Sequence, residues 1–152
     1  MREFAGDVFV ARDVRLHFRA AESAQDARLG MDARRQVFLI FKECVHNIAR
    51  HSGCTAVEVE LKTEKDWLAV KVTDNGRGFN PAIVEGQLPG AHGHGLKNMQ
   101  SRARNLGGWL EIQAAENQGV SVIFTSSTDP PHPKGEAVPA QMGGVIAGAN
   151  PV

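Results

Sequence analysis

Glu43 and Asn47 lie four residues apart where apolar residues recur at helical spacing, so both side chains project from one helix face. An asparagine carbonyl oxygen suits Mg²⁺, which keeps several waters and takes few protein ligands. Glu43 could orient or deprotonate a nucleophile beside such an ion. Arg50 and His51, one turn further on, could meet phosphate oxygens. Polar residues in this arrangement are also typical of a solvated face and a cationic helix end.

A carboxylate comes before two glycines in the stretch from Asp74 to Phe79, which follows a strand-like segment. Ionised Asp74 only accepts hydrogen bonds, so it suits the exocyclic amine of adenine and would reject the carbonyl of guanine. Gly76 and Gly78 allow the backbone to approach a ligand closely. An Asp-Asn-Gly turn also occurs in ordinary hairpins. Here a Gly- and Pro-containing segment follows instead of a strand, which favours an adenine pocket.

A second pair of glycines, Gly93 and Gly95, comes directly before a predicted helix. A helix N-terminus that follows glycines is a ready anion site, and Lys97 lies within its first turn. The segment is not a Walker loop, because GxxxxGK[ST] is absent, nor a Rossmann fingerprint, because no strand leads straight into it. His92 and His94 have no further ligands nearby at the spacing of a zinc site.

The elements that would position these residues are predicted from periodicity and turn signals. A helix from Asp32, read as its cap, to about Ser52 buries a stripe of apolar residues and ends at Gly53. Apolar and polar residues alternate in a hairpin over 57–73 with one solvated face. The other predicted elements are a short strand at 8–10, a strand at 14–19, a loop at 20–31, a mobile lid at 80–94, a helix at 95–106 and a hairpin at 109–125.

These elements predict an α+β sandwich with a mixed, mainly antiparallel sheet and helices on one face. The domain is expected to span residues 1–126, and the proline-rich remainder, 127–152, is expected to be a disordered tail. Seventeen basic residues balance 17 acidic ones, so no global charge favours nucleic acid or a membrane surface. No spanning segment or signal peptide is evident, and Cys44 and Cys54 are expected to be buried free thiols. A cytoplasmic location follows as an expectation, either for a free protein or for the cytoplasmic part of a membrane-bound receptor.

Residues 32–125 resemble the ATP-binding catalytic domain of sensor histidine kinases, within the GHKL ATPase superfamily. Phe41 to Ser52 resembles the N box of that family, Asp74 to Phe79 its first glycine box and Gly93 to Met99 its second. The short lid and the run from Gly95 to Met99 are similar to the subfamily paired with LuxR-type response regulators. Arg50 stands where the family more often has lysine, and Val120 where it often has threonine.

The resemblance implies a Bergerat-type fold that binds ATP and Mg²⁺. It assigns Asn47 to the metal and Glu43 to catalysis. The nucleotide contacts that it implies are Asn47, Arg50, His51, Asp74, Gly76, Gly78, Gly93, Gly95, Leu96 and Lys97.

The implied partners are a dimerisation domain that carries the phosphoacceptor histidine, in the same or another chain, and a response regulator. No long amphipathic helix that could carry an acceptor histidine is predicted before the sheet, and His17 falls in a strand pattern. Two alternatives stay open: a stand-alone serine kinase of the anti-sigma type, and a non-catalytic partner-binding module.

Overall fold

A computed structural model of the chain describes residues 1–25, 29–80 and 93–128. Within these ranges the strands are β1 (Arg15–Ala20), β2 (Ala56–Glu64), β3 (Trp67–Asp74), β4 (Leu110–Ala114) and β5 (Val120–Ser127). The helices are α1 (Arg2–Val10), α2 (Glu22–Gln25), α3 (Met31–Asn47) and α4 (Gly93–Asn105), and α3 continues into a π-helical turn, Ile48–Ser52. Most of the expected lid and tail lies outside the described residues.

The strands form one sheet in the order β1-β2-β3-β5-β4. β1 runs parallel to β2, and every other neighbouring pair is antiparallel. Helices α1, α3 and α4 bury their apolar faces against one side of this sheet, where Phe9, Phe41 and Phe124 are fully buried. Each such side chain contributes roughly 1.5–3 kcal/mol by leaving water. The predicted α+β sandwich with a mixed, mainly antiparallel sheet is confirmed.

The first helix corrects the predicted short strand around Val8 and Val10, because residues 2–10 form α1. Its buried residues, Ala5 and Phe9, are four apart and meet the core together. The two valines suggested alternation, but Val10 is 78% exposed and ends the helix. The packing of a helical apolar face therefore prevails over local β-propensity.

Three smaller expectations also change. Asp32 is not the cap of α3: the helix begins after Gly30 without a side-chain cap, and Asp32 lies in its first turn, where a negative charge favours the helix dipole. The loop expected between β1 and α3 contains the single turn α2. The face of the sheet away from the helices is not uniformly solvated, because Ala69 and Ile123 are buried there against Trp109.

The ends of the central elements agree with their predicted positions. The helix that begins as α3 reaches Ser52, and Gly53 closes it with a left-handed backbone at φ 62°. The β2–β3 pairing places Val59 opposite Val72, and β3 ends at Asp74. The C-terminus of this long helix and the end of β3 therefore lie side by side. None of the described helices is both long enough and apolar enough to cross a bilayer.

Candidate functional site

A cavity of about 450 Å³ lies between α3, α4 and the sheet, a volume typical of small-molecule sites. Most of its lining is apolar, and a few polar groups converge on it. It is lined by Cys44, Asn47, Ile48, His51, Ser52, Val72, Asp74, Arg77, Gly78, Phe79, Leu96, Met99, Ile112, Val120 and Val122. The structure thus brings together five sequence-predicted residues from three separate motifs: Asn47, His51, Asp74, Gly78 and Leu96.

Asp74 is the buried carboxylate of this cavity, with only 4% of its surface exposed. Its Oδ1 accepts a hydrogen bond from the Ser52 hydroxyl at 2.5 Å and another from the Gly76 backbone N–H at 2.8 Å. Among the described residues, Oδ2 accepts none. An ionised carboxylate accepts hydrogen bonds and donates none, so the cavity offers an acceptor to a ligand amine.

Ser52 is a site residue that the sequence reasoning did not identify. It ends the π-helical turn, 7% exposed, with its hydroxyl on Asp74. A π-helical turn holds more residues than an α-helical one, so it changes the direction in which following side chains project. Helical periodicity therefore could not place Ser52. The one available signal was a hydroxyl residue directly before the glycine that stops the helix.

The two glycines after Asp74 are required by close packing within the protein. A Cβ on Gly76 would overlap the hydroxyl oxygen of Ser52, and a Cβ on Gly78 would overlap the carbonyl oxygen of Ala115 in the β4–β5 turn. Gly78 also has a positive φ of 59°, which other residues adopt at a cost. The glycines bring the loop after β3 against its neighbours, and Gly78 also lines the cavity.

Asn75 and Arg77 fix this loop from both sides. The Asn75 side-chain oxygen accepts hydrogen bonds from the backbone N–H groups of Thr55 and Ala56, both at 3.0 Å. The backbone N–H of Arg77 donates to the Ser52 carbonyl at 2.9 Å, and its carbonyl accepts from Asn117 at 2.6 Å. The position of Asp74 is thus set by hydrogen bonds of the next residues with the π-helical turn, with the start of β2 and with the β4–β5 turn.

Asn47 lines the cavity from α3, one turn before His51. Its side-chain amide makes no hydrogen bond with any described residue, so its carbonyl oxygen is available to a ligand. No group of three or more His, Cys, Asp or Glu residues that could hold a metal by themselves occurs in the described part of the chain. Mg²⁺ keeps several waters and takes few protein ligands, so one amide oxygen fits an ion whose other ligands are phosphate and water.

The structure does not bring two other candidates, Arg50 and Lys97, to the cavity. Arg50 is exposed on the π-helical turn and Lys97 is exposed on the first turns of α4, and neither lines the cavity. Gly93 is the first residue of α4. Their proposed phosphate contacts therefore stay predictions.

Glu43 lines a different concavity of about 420 Å³, here called the α3–α4 groove. Its lining residues are Leu39, Lys42, Glu43, His46, Gly95, Asn98, Met99 and Arg102. Met99, only 1% exposed, lines both spaces and forms the wall between them. A Cβ on Gly95 would lie 2.5 Å from the Glu43 Oε1, so this glycine lets α4 pack directly against the carboxylate.

Cys44 lies under the cavity, with its thiol 3.8 Å from the Met99 sulfur. Burial, with a smaller contribution from the nearby Glu43 charge, raises the pKa of the Cys44 thiol from 9.0 to about 12. The thiol therefore stays protonated at neutral pH, where it acts as an apolar wall rather than a nucleophile. Cys54 is also a free thiol but only half-buried, which corrects the expectation that both are buried.

The chain matches a known family and several known proteins. The family model, described as histidine kinase-, DNA gyrase B- and HSP90-like ATPase, matches residues 32–130. The sensor protein VraS of Staphylococcus haemolyticus is 30% identical over 116 residues, as is that of Staphylococcus aureus. This overlap covers 76% of the present chain but only 32% of those relatives, so the chain spans about a third of their length.

The fold is also found in solved structures. The histidine kinase domain of a blue-light-activated histidine kinase from Erythrobacter litoralis superimposes with a TM-score of 0.66 at 15% identity. The match covers 83% of this chain and 58% of that one. At this identity the likeness concerns the fold. With its sheet order, its buried Asp74 beside a cavity and the family match over residues 32–130, the chain belongs to the histidine kinase-, DNA gyrase B- and HSP90-like ATPase family.

Proposed function

We propose that this chain is the ATP- and Mg²⁺-binding catalytic module of a two-component sensor histidine kinase. The observation that carries the proposal is the buried Asp74 carboxylate in a largely apolar cavity, with Asn47 lining the same cavity. The similarity to VraS sensor proteins supports the kinase class. The phosphoacceptor would be a histidine on a dimerisation domain, in a longer form of the protein or in another chain, and a response regulator would act downstream.

In this proposal the free Oδ2 of Asp74 accepts a hydrogen bond from the adenine amine, while the apolar walls cover the ring. Guanine presents a carbonyl at that position, which a carboxylate repels, so ATP is favoured over GTP. Mg²⁺ would neutralise charge on the phosphates when it is held by the Asn47 side-chain oxygen. His51 would face the same phosphates from the next helical turn.

Transfer to histidine needs few covalent roles from the protein, so positioning and charge dominate. The imidazole nitrogen that lacks a proton forms the bond to the γ-phosphorus. The bond from that phosphorus to the bridging oxygen breaks, and ADP leaves. Glu43 accepts the proton from the other imidazole nitrogen. The location proposed for this chemistry is cytoplasmic, where ATP and response regulators are found.

Two variants separate chemistry from binding. We expect Glu43→Gln to bind ATP normally but to transfer phosphate to a supplied histidine-bearing dimerisation domain roughly 10²–10⁴-fold more slowly. We expect Asn47→Asp to change the Mg²⁺ dependence of binding instead. The measurements are calorimetry with ATP and Mg²⁺, and single-turnover transfer with labelled ATP. Wild-type transfer rates in both variants would show that this helix face is merely solvated.

The main rival is a stand-alone serine kinase of the anti-sigma type, since those enzymes carry the same boxes. The two activities differ in the product: phosphohistidine is lost in acid and survives alkali, whereas phosphoserine does the reverse. An acid-stable product would favour the serine kinase. Failure of the wild-type chain to bind any nucleotide would favour a non-catalytic partner-binding module.

A further inference from the structure

The α3–α4 groove carries more positive than negative charge. Lys42 and Arg102 line it together with His46, and among the described residues Glu43 is the only acidic one in the lining. Lys42 forms no ion pair with any described residue, and Arg102 is held by the Gln36 amide oxygen at 2.5 Å rather than by a carboxylate. Its cationic side chains are thus left without an acidic partner among the described residues.

Neighbouring positions extend this charge along the helices. Arg35 is exposed one turn before Leu39, so it belongs to the groove-lining side of α3. At the other end, the His46 ring lies 5.9 Å from the Phe4 ring of α1, and the two ring planes are tilted by 58°. The groove is therefore a basic surface between α3 and α4, with the Phe4 ring of α1 next to His46 at one end.

Glu43 opens into this groove and not into the nucleotide cavity, since Met99 forms the wall between the two. Any group that gives its proton to Glu43 therefore approaches along the groove. If the proposed function holds, that group is the imidazole of the acceptor histidine.

We propose that the α3–α4 groove docks an acidic helix of the phosphoacceptor partner, and this inference rests on the proposed function. Lys42 and Arg102 pair with carboxylates that flank the acceptor histidine, and this pairing brings the imidazole to Glu43. Lys42 and Arg102 are positioning residues in this account, since they touch the partner and not the reacting phosphate. Their charges also select the partner, because a basic helix would be repelled.

The test uses the full chain and two synthetic alanine-based helical peptides. Each peptide carries one histidine, flanked one turn away on both sides by glutamate in the first and by glutamine in the second. Binding is followed by NMR at low salt, through amide shifts of α3 and α4. We expect the glutamate peptide to bind about three- to tenfold more tightly than the glutamine peptide, with shifts centred on the groove.

Lys42→Glu should abolish the preference for the glutamate peptide, and added salt should weaken it. Arg104→Glu is the matched control, because it makes the same charge change at an exposed position of α4 outside the groove lining. It should leave the preference largely intact. Equal binding of both peptides, an unchanged preference in Lys42→Glu, or shifts centred elsewhere would overturn the proposal.

Two further measurements distinguish failure of this docking proposal from failure of the proposed function. Calorimetry with ATP on the same variants should give wild-type affinity for Lys42→Glu, because Lys42 does not line the nucleotide cavity. If the wild-type chain does not bind ATP, the proposed function is refuted, whether or not either peptide binds. Tight binding of inorganic phosphate in the groove would assign it to a phosphate-bearing ligand and overturn the acidic helix.

Discussion

Ser52 fixes the orientation of the Asp74 carboxylate, which is the proposed contact of the adenine ring. The hydrogen bond between them is 2.5 Å long and buried, so the Ser52 hydroxyl fixes which Asp74 oxygen remains free. We expect Ser52→Ala to weaken ATP binding about 5- to 30-fold, and to reduce the preference for ATP over GTP. Competition calorimetry with both nucleotides measures this. Ser101→Ala, at an exposed position of α4, is the control. An unchanged ratio of the two affinities would refute the positioning role.

Cys44 predicts how stability depends on alkaline pH. Its pKa is about 12 in the folded chain and ordinarily 9.0, so the folded state favours the neutral thiol. This contribution is complete below pH 9 and is lost as pH rises from 9 towards 12, at up to about 1.4 kcal/mol per pH unit. We expect urea unfolding to show a shallower decline over this range in Cys44→Ala than in wild type. The chain has no tyrosine to obscure the comparison, and parallel declines would contradict the assignment.

Sequence patterns predicted the residues whose role depends on type and spacing. Asp74, Asn47 and Gly78 were all identified from short motifs, and the cavity brings them together. Ser52 was missed because it depends on the π-helical turn, whose extra residue per turn leaves no periodic signal. The location of Glu43 outside the cavity could not be predicted either, since it depends on Met99 from a distant helix lying between them.

The turn between β4 and β5 packs against the loop that follows Asp74. Gly78 packs against Ala115 of that turn, and its φ is 59°. We expect Gly78→Ala to lower the free energy of unfolding by about 3 kcal/mol or more, because steric overlap adds to backbone strain. Gly107→Ala is the control: its φ is 68°, but a Cβ there meets open space, so strain alone costs about 1–2 kcal/mol. An equal loss of unfolding free energy in the two variants would show that packing against the β4–β5 turn does not stabilise this loop.

Elements with strict alternation or a long apolar stripe were predicted well, and elements defined by packing were not. The β2–β3 hairpin follows from alternating valines, and its register places the apolar side chains on the helix side. The short helix α1 was read as a strand, because its helical face becomes clear only when Phe9 meets the core. The buried Ala69 and Ile123 on the other face depend on Trp109, which strand periodicity does not report.

At the scale of the whole molecule, a ligand that binds only the folded state raises its stability. The proposed site predicts that ATP with Mg²⁺ stabilises the chain by about 2.7 kcal/mol at one hundred times the dissociation constant. The melting temperature should therefore rise by several degrees, and GTP should have a smaller effect.

The purified chain should also hydrolyse ATP very slowly, since the proposed acceptor is on another domain. Rapid turnover would favour an ATPase over a kinase module.

Asp74 is proposed to select adenine, and calorimetry of ATP with Mg²⁺ on wild type and Asp74→Asn measures the effect of that contact. Asp74→Asn replaces one acceptor oxygen with a donor, which places two N–H groups face to face if the amide nitrogen meets the adenine amine. We expect measurable binding by wild type, none by Asp74→Asn, and an intact fold in both. Asp66→Asn, in the exposed β2–β3 turn, should bind like wild type. Unchanged ATP affinity in Asp74→Asn would show that Asp74 does not select adenine.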